Sequence, residues 1–253
     1  MRIPMMIAAA AVAVMATQAL GEAGEKHHHW SYSGHDGPSH WGQLDSSYRA
    51  CGTGKVQSPI NIETKDVTPT DLPPLVFNYR PVLLNIVDNG HTIQVNYEAG
   101  SALLVGGKRY ELVQFHFHHP SEEEVNGKQF EMVAHLVHRD ADGQLAVVAV
   151  PLKLGRDNPL LATLWSNLPK QGVHEPQVTK ARINAGGLLP SDLHYYAFSG
   201  SLTTPPCSEG VRWMVLKTPM EISKAQVEAF ASRYPNNARP EQRLNGRHVL
   251  ASK

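Results

Sequence analysis

Cysteine is nearly absent from this chain: Cys51 and Cys207 are the only two in 253 residues, and they lie far apart. That excludes a cysteine-ligated zinc site, which needs thiolates at close spacing. An excess of one charge is missing too. With 23 basic and 23 acidic residues, nothing draws the protein to nucleic acid or to an acidic membrane surface. No apolar run is long enough to span a bilayer as a helix. There is no internal repeat, no low-complexity run beyond the N-terminus and no long linker, so the chain reads as one large domain with ample length for a core. Histidine, by contrast, is plentiful. Fourteen in this length direct attention to metal or proton chemistry, although most are expected to be ordinary surface residues.

The N-terminus has the form of an export signal. Arg2 supplies a positive start, Ile7 to Ala16 an apolar stretch too short to span, and small residues allow cleavage after Ala19 or Gly21. Residues 1–21 are therefore read as a signal peptide and 22–253 as the mature domain, periplasmic or secreted, with no membrane span after cleavage. In an oxidising compartment two lone cysteines are expected to pair, the alternative being two buried thiols.

The remaining pattern is mostly strand. "LLNIVDNGHTIQVNY" alternates around Asn89-Gly90 and predicts a hairpin with a tight primed turn. "LVQFHFH", "MVAHLVH", "LAVVAVPLKL" and "RWMVLK" are rich in β-branched and aromatic residues, nearly continuous in apolar character, and suit the centre of a large sheet. Helices are few. Asp157 or Asn158 caps one beginning at Pro159, and "SKAQVEAFASRY" offers a second, stopped by Pro235.

Side chains alternate faces along a strand. In Leu112 to His119, one face carries Leu112, Gln114, His116 and His118, and His119 points away. On "EMVAHLVH", His135 shares a face with Glu131, Val133 and Val137, while His138 lies opposite. If the two strands pair, His116, His118 and His135 converge. Three imidazoles with one open position describe a catalytic zinc site rather than a closed structural one. Imidazole also suits copper, iron and nickel, and spacing alone leaves ordinary strand histidines open.

Four stretches in fixed order then narrow the reading: "QSPINI", "DNGHTIQV", "QFHFH" with "SEEEV" and "HLVH", and "GSLTTPPC" with "VRWMVLK". Together they resemble the α-class carbonic anhydrases, exported bacterial type, over about residues 29 to 240. The resemblance implies a mainly β single domain: a large, central, twisted, mostly antiparallel sheet with short peripheral helices. It implies one Zn2+ held by His116, His118 and His135, and reversible hydration of CO2 to bicarbonate by attack of a zinc-held hydroxide. Thr203 would orient that hydroxide, Glu122 would fix Thr203, and His91 would shuttle the proton. Thr204, Val137, Val147, Leu202 and Trp213 would receive substrate. Tyr32, Asn89 and Gln94 would order water, and Gln114 would support His116, with the Asn245 carbonyl behind His118. Esterase side activity and a homodimer are in keeping with the resemblance.

Two positions depart from it. The family commonly has Glu where Val133 stands, leaving Glu131, Glu124 or a water to support His135. Phe198 replaces a common tyrosine. "HHH" at His27 to His29 reads as a loose start to the mature chain, or as rim histidines that trap metal or move protons. The rival readings are a catalytically silent relative that binds rather than reacts, which would be expected to lack a zinc histidine or the Thr–Glu pair, and a periplasmic zinc-binding protein.

Overall fold

The β-branched, apolar runs fold as the middle of one large mixed sheet. The computed structural model describes residues 29–253; the expected signal peptide, with His27 and His28, lies outside the described residues. The sheet's main path uses β1 (Thr68–Thr70), β2 (Val82–Asp88), β3 (Ile93–Asn96), β4 (Lys108–His118), β5 (Met132–Arg139), β6 (Leu145–Leu154), β7 (Gln177–Ile183), β8 (Tyr195–Ser201), β9 (Glu209–Leu216) and β10 (Leu250–Ser252). In space they lie in the order β7-β2-β3-β4-β5-β6-β9-β8-β10-β1, within a sheet of 13 strands. Along this path only β6–β9 and β10–β1 are parallel.

β5 and β6 read as unbroken apolar runs because both of their faces are covered. Met132 to His138 and Ala146 to Leu152 are all buried. One face packs Phe115, Phe117, Leu136 and Val148 against α1 (Pro159–Trp165) and α2 (Lys224–Ala231). The other packs Val133, Val137, Val147 and Trp213 against Ile60 and Ile62. The helices start where local chemistry allows. The Asn158 side chain accepts from the N–H groups of Leu160 and Leu161, with proline in the first turn. Ser223 and Gln226 cap α2 reciprocally. α2 ends at Ala231, ahead of Pro235.

Two local expectations are corrected. β2 and β3 do form a hairpin, with Asp88 opposite Ile93, but the connection spans residues 89–92. Only Gly90 among them is left-handed, at φ 84°. Asn89 Oδ1 accepts from the N–H groups of His91 and Thr92 and closes the turn from its side chain, which removes the need for a two-residue primed turn. Second, Leu112 is not on the histidine face. Gln114 pairs with Val137 but Leu112 pairs with His138, so Val113 is an extra, bulged residue. The alternation changes phase there, and Tyr110 and Leu112 join Phe115 and Phe117 in the helix-covered core.

Candidate metal centre and active site

Antiparallel pairing of β4 and β5 sets His116 directly opposite His135 and His118 opposite Val133. His116, His118 and His135 present ring nitrogens that all lie within 4.8 Å of one another. In each ring the other nitrogen is committed. His116 Nδ1 lies 2.8 Å from Gln114 Oε1. His118 Nδ1 donates to the Asn237 carbonyl at 2.7 Å. His135 Nε2 faces both carboxylate oxygens of Glu123, at 3.0 and 3.2 Å. By elimination the converging atoms are His116 Nε2, His118 Nε2 and His135 Nδ1. His118 Nε2 is buried with no hydrogen-bond partner, an arrangement that costs free energy unless a ligand meets it. A tetrahedral divalent ion that favours imidazole fits this donor set and leaves one position open.

The electrostatics differ among the three rings. Burial, with His135 nearby, lowers His116 to about 3, and burial lowers His118 well below its usual range. Burial would lower His135 as well, but the charges of Glu123 and Glu122 raise it above the ordinary value. Glu122 is raised to about 7, chiefly by burial. His135 opposes that shift, Glu123 adds to it, and hydrogen bonds from the Arg239 N–H and Thr203 lower it. The Arg239 N–H reaches Glu122 Oε1 at 2.8 Å. Thr203 is itself buried.

The apolar residues singled out from the sequence form a row across the sheet. Gln114 pairs with Val137, Val137 with Val147, Val147 with Trp213 and Trp213 with Phe198. The His135 and Trp213 rings meet edge to face at 5.0 Å, and Leu202 packs against the same cluster. Phe198 stacks parallel to Trp213 at 6.1 Å, so apolar contact stands where a tyrosine hydroxyl was expected. On the polar side, Gln94 lies opposite His116 on β3 and donates to Asn96. Asn89 Nδ2 reaches Gln94 Oε1 at 3.4 Å. The Tyr32 ring packs against Trp30 and Trp41, and burial, then the Glu122 charge, pushes its hydroxyl pKa well up.

His91 stands at the rim, stacked on Trp30 at 3.6 Å and 6°. Burial, then neighbouring His29 and His174, lower it to about 4. Cys51 and Cys207 are joined in a disulfide. The Cys207 N–H donates to the Thr204 carbonyl, so the bridge and the Thr203–Thr204 loop are one unit.

The carbonyl behind His118 belongs to Asn237, not Asn245. Asn245 sits in a turn with its amide on the Lys55 carbonyl, whereas Asn237 is tied to the end of β4 through its own N–H to His119. Glu131 is exposed and Glu124 half-buried, and neither supports His135; Glu123 does. Arg239 was also missed. Its guanidinium donates to the carbonyls of Ser58 and Cys51. Strand periodicity could not find these residues, because Glu123 lies in a bend and Asn237 and Arg239 in irregular chain. The available signals were the acidic run of "SEEEV" and the polar residues clustered in "NNARPEQR" after the last apolar helix.

Three imidazoles whose ring nitrogens converge, next to an apolar wall on one large mixed sheet, make a candidate metal centre with room for a catalytic ligand. The sequence model of the eukaryotic-type carbonic anhydrases matches residues 36–253. A carbonic anhydrase of Neisseria gonorrhoeae is 46% identical over 247 residues, covering 95% of each chain. One from Nostoc is 44% identical over 224 residues, 87% of this chain and 85% of that protein. The α-carbonic anhydrase of Thermovibrio ammonificans, solved with the inhibitor sulfanilamide, superposes with a TM-score of 0.85 at 46% identity, over 88% of this chain and 99% of that one. The chain belongs to the eukaryotic-type, or α, carbonic anhydrase family. Its general function is hydration of CO2 by a zinc enzyme.

Proposed function

We propose that His116, His118 and His135 hold one Zn2+ per chain and that the site interconverts CO2 and bicarbonate. The observation that supports it most is the convergence of three ring nitrogens, one of them buried and unpartnered, at the foot of an apolar wall. When bound, zinc supplies Lewis acidity that brings the pKa of a water to about 7, a value characteristic of this enzyme class rather than one read from the structure.

The chain's own residues supply the rest. Thr203 accepts a hydrogen bond from the nucleophile and donates one from its own hydroxyl to Glu122, which fixes the nucleophile's direction. Val137, Val147, Leu202 and Trp213 receive CO2, a linear apolar molecule that a polar wall would bind less well than water. Thr204 lines the side where the anionic product forms. Gln94, Asn89 and Tyr32 order solvent between the site and the rim, and His91 takes the proton to buffer. The sequence retains His116, His118, His135, Thr203 and Glu122, which supports an active enzyme over a silent binding protein. Activated esters are a secondary substrate of the same site. The signal sequence and the disulfide support a periplasmic or secreted enzyme, and a homodimer is the assembly proposed for it.

The test is stopped-flow CO2 hydration on the mature protein, with zinc counted before and after chelation. One zinc per chain, with activity lost on chelation and regained with zinc, is the expected result. One zinc without hydration would overturn the catalytic reading and leave a silent relative.

A further inference from the structure

We propose that Glu123 is the positioning residue of the metal site: a carboxylate that orients His135 from a segment separate from the strand that carries it. The proposal rests on the zinc reading above.

The supports of the three histidines are unequal. His116 meets a neutral amide and His118 a neutral peptide carbonyl. Only His135 takes a carboxylate as its hydrogen-bond partner, and it meets both oxygens; Glu122 Oε1 lies 3.5 Å from His118 Nδ1, whose hydrogen bond goes to the Asn237 carbonyl. β5 itself offers no acceptor there. The nearest position on the same face is Val133, fully buried and packed with Ile60 and Ile62, and Glu131 beyond it is exposed. Glu123 reaches the ring from the bend between β4 and the short hairpin Glu124–Gln129, and its residue is 2% exposed.

That bend is fastened. Ser121 Oγ donates to the Glu123 carbonyl and accepts the Phe130 N–H. Gln129 Nε2 donates to the Ser121 carbonyl, and Glu124 pairs with Asn61. Among the described residues no Lys or Arg forms an ion pair with Glu123; its salt-bridge partner is His135. A buried carboxylate without a cation is costly. A dication held by His135 would compensate it through the ring, and the carboxylate would fix the tautomer and make the imidazole a stronger donor. The charge that serves the metal therefore depends on how well a loop segment is held, not on the strand register that places the ligand.

The experiment compares wild type, Glu123→Gln, Glu123→Ala and the relocated pair Glu123→Ala/Val133→Glu. Zinc release into excess chelator is timed, and the visible spectrum of each Co2+-substituted protein is recorded. Release is expected to be about 10- to 100-fold faster for Glu123→Ala, less so for Glu123→Gln, and slowed again in the relocated pair. The cobalt bands should shift in the order of the release rates. A merely structural role would lower the melting temperature of the metal-free protein and leave the cobalt bands in place. If Glu123→Gln and Glu123→Ala both release zinc at the wild-type rate, the proposal is overturned. It is overturned equally if the relocated pair folds but leaks zinc as fast as Glu123→Ala. A wild type that holds no zinc would instead sink the function on which the proposal rests.

Discussion

His135 and His138 sit three residues apart on β5, both buried, yet their surroundings differ. His135 faces Glu122, Glu123 and two other imidazoles, and those carboxylates raise its pKa. His138 projects to the opposite face, toward the helix-covered core. Its Nε2 lies 2.7 Å from the Tyr79 hydroxyl, and burial lowers its pKa to about 4. The difference extends to the whole of each face. The core face is held by neighbouring strands and helices through apolar contact. The site face is held by distant chain: Asn237 behind His118, Arg239 on Glu122, and the disulfide on the threonine loop. Residue type therefore does not decide whether a buried histidine serves chemistry or packing; the groups brought to it from elsewhere do.

The largest effect should come from His118→Ala. Removing one of three ligands should abolish zinc retention and CO2 hydration together, with activity falling by orders of magnitude to background. Metal analysis and stopped flow on one sample check this, and a zinc-free variant with full activity would break the distinction between the faces.

Cutting the site face's long-range tie comes next. Cys51→Ser removes a bridge with a sequence separation of 156, which should cost about 3 kcal/mol, or roughly 5–10 °C in melting temperature. The loss should appear under oxidising conditions and vanish when wild type and variant are both reduced. A reduced wild type that melts with the oxidised protein would remove the bridge from the comparison.

The core face should respond to acid rather than to metal. His138 has a folded pKa of about 4 against an unfolded value of about 6.5. A histidine with a depressed folded pKa contributes stability that is fully present above the unfolded value. Between pH 6.5 and 4 the unfolded chain binds the proton first, so stability falls as pH falls, by about 3 kcal/mol in all, and changes no further below pH 4. His138→Gln should flatten that decline in urea titrations, measured as the difference from wild type, while zinc content stays the same. Equal acid dependence in the two proteins would mean that His138 is already charged in the fold.

These two faces were not equally legible in sequence. β4, β5, β6 and β9, both helices and the His116–His118–His135 convergence follow from periodicity, capping and alternation, all of which act over a few residues. The assignment of Thr203 and Glu122 came only through the resemblance, since a threonine in a proline-rich loop has no periodic signature. Glu123, Asn237 and Arg239 were invisible for the same reason that they matter: each joins segments more than ten residues apart through irregular backbone. Leu112 was misplaced because one bulged residue reverses every face before it.

The smallest expected effect concerns the rim, where a third histidine environment completes the series. His91 is pressed on Trp30 and held near pKa 4. A ring with that affinity gives up a proton readily but accepts one poorly at neutral pH, so in its stacked pose it is a weak base. His91→Ala should slow turnover in weak buffer and recover in concentrated imidazole, as expected if general-base help is what was lost. Trp30→Ala should act in the other direction. Exposing the ring removes the burial that depresses it, so its pKa should rise toward about 6.5, and the low-buffer pH–rate profile should gain an inflection there. The change in rate at neutral pH should be only a few-fold, because the zinc ligands and Thr203 are untouched. An inflection that stays near pH 4 in Trp30→Ala would show that His29 and His174, rather than the indole, set the proton affinity of His91.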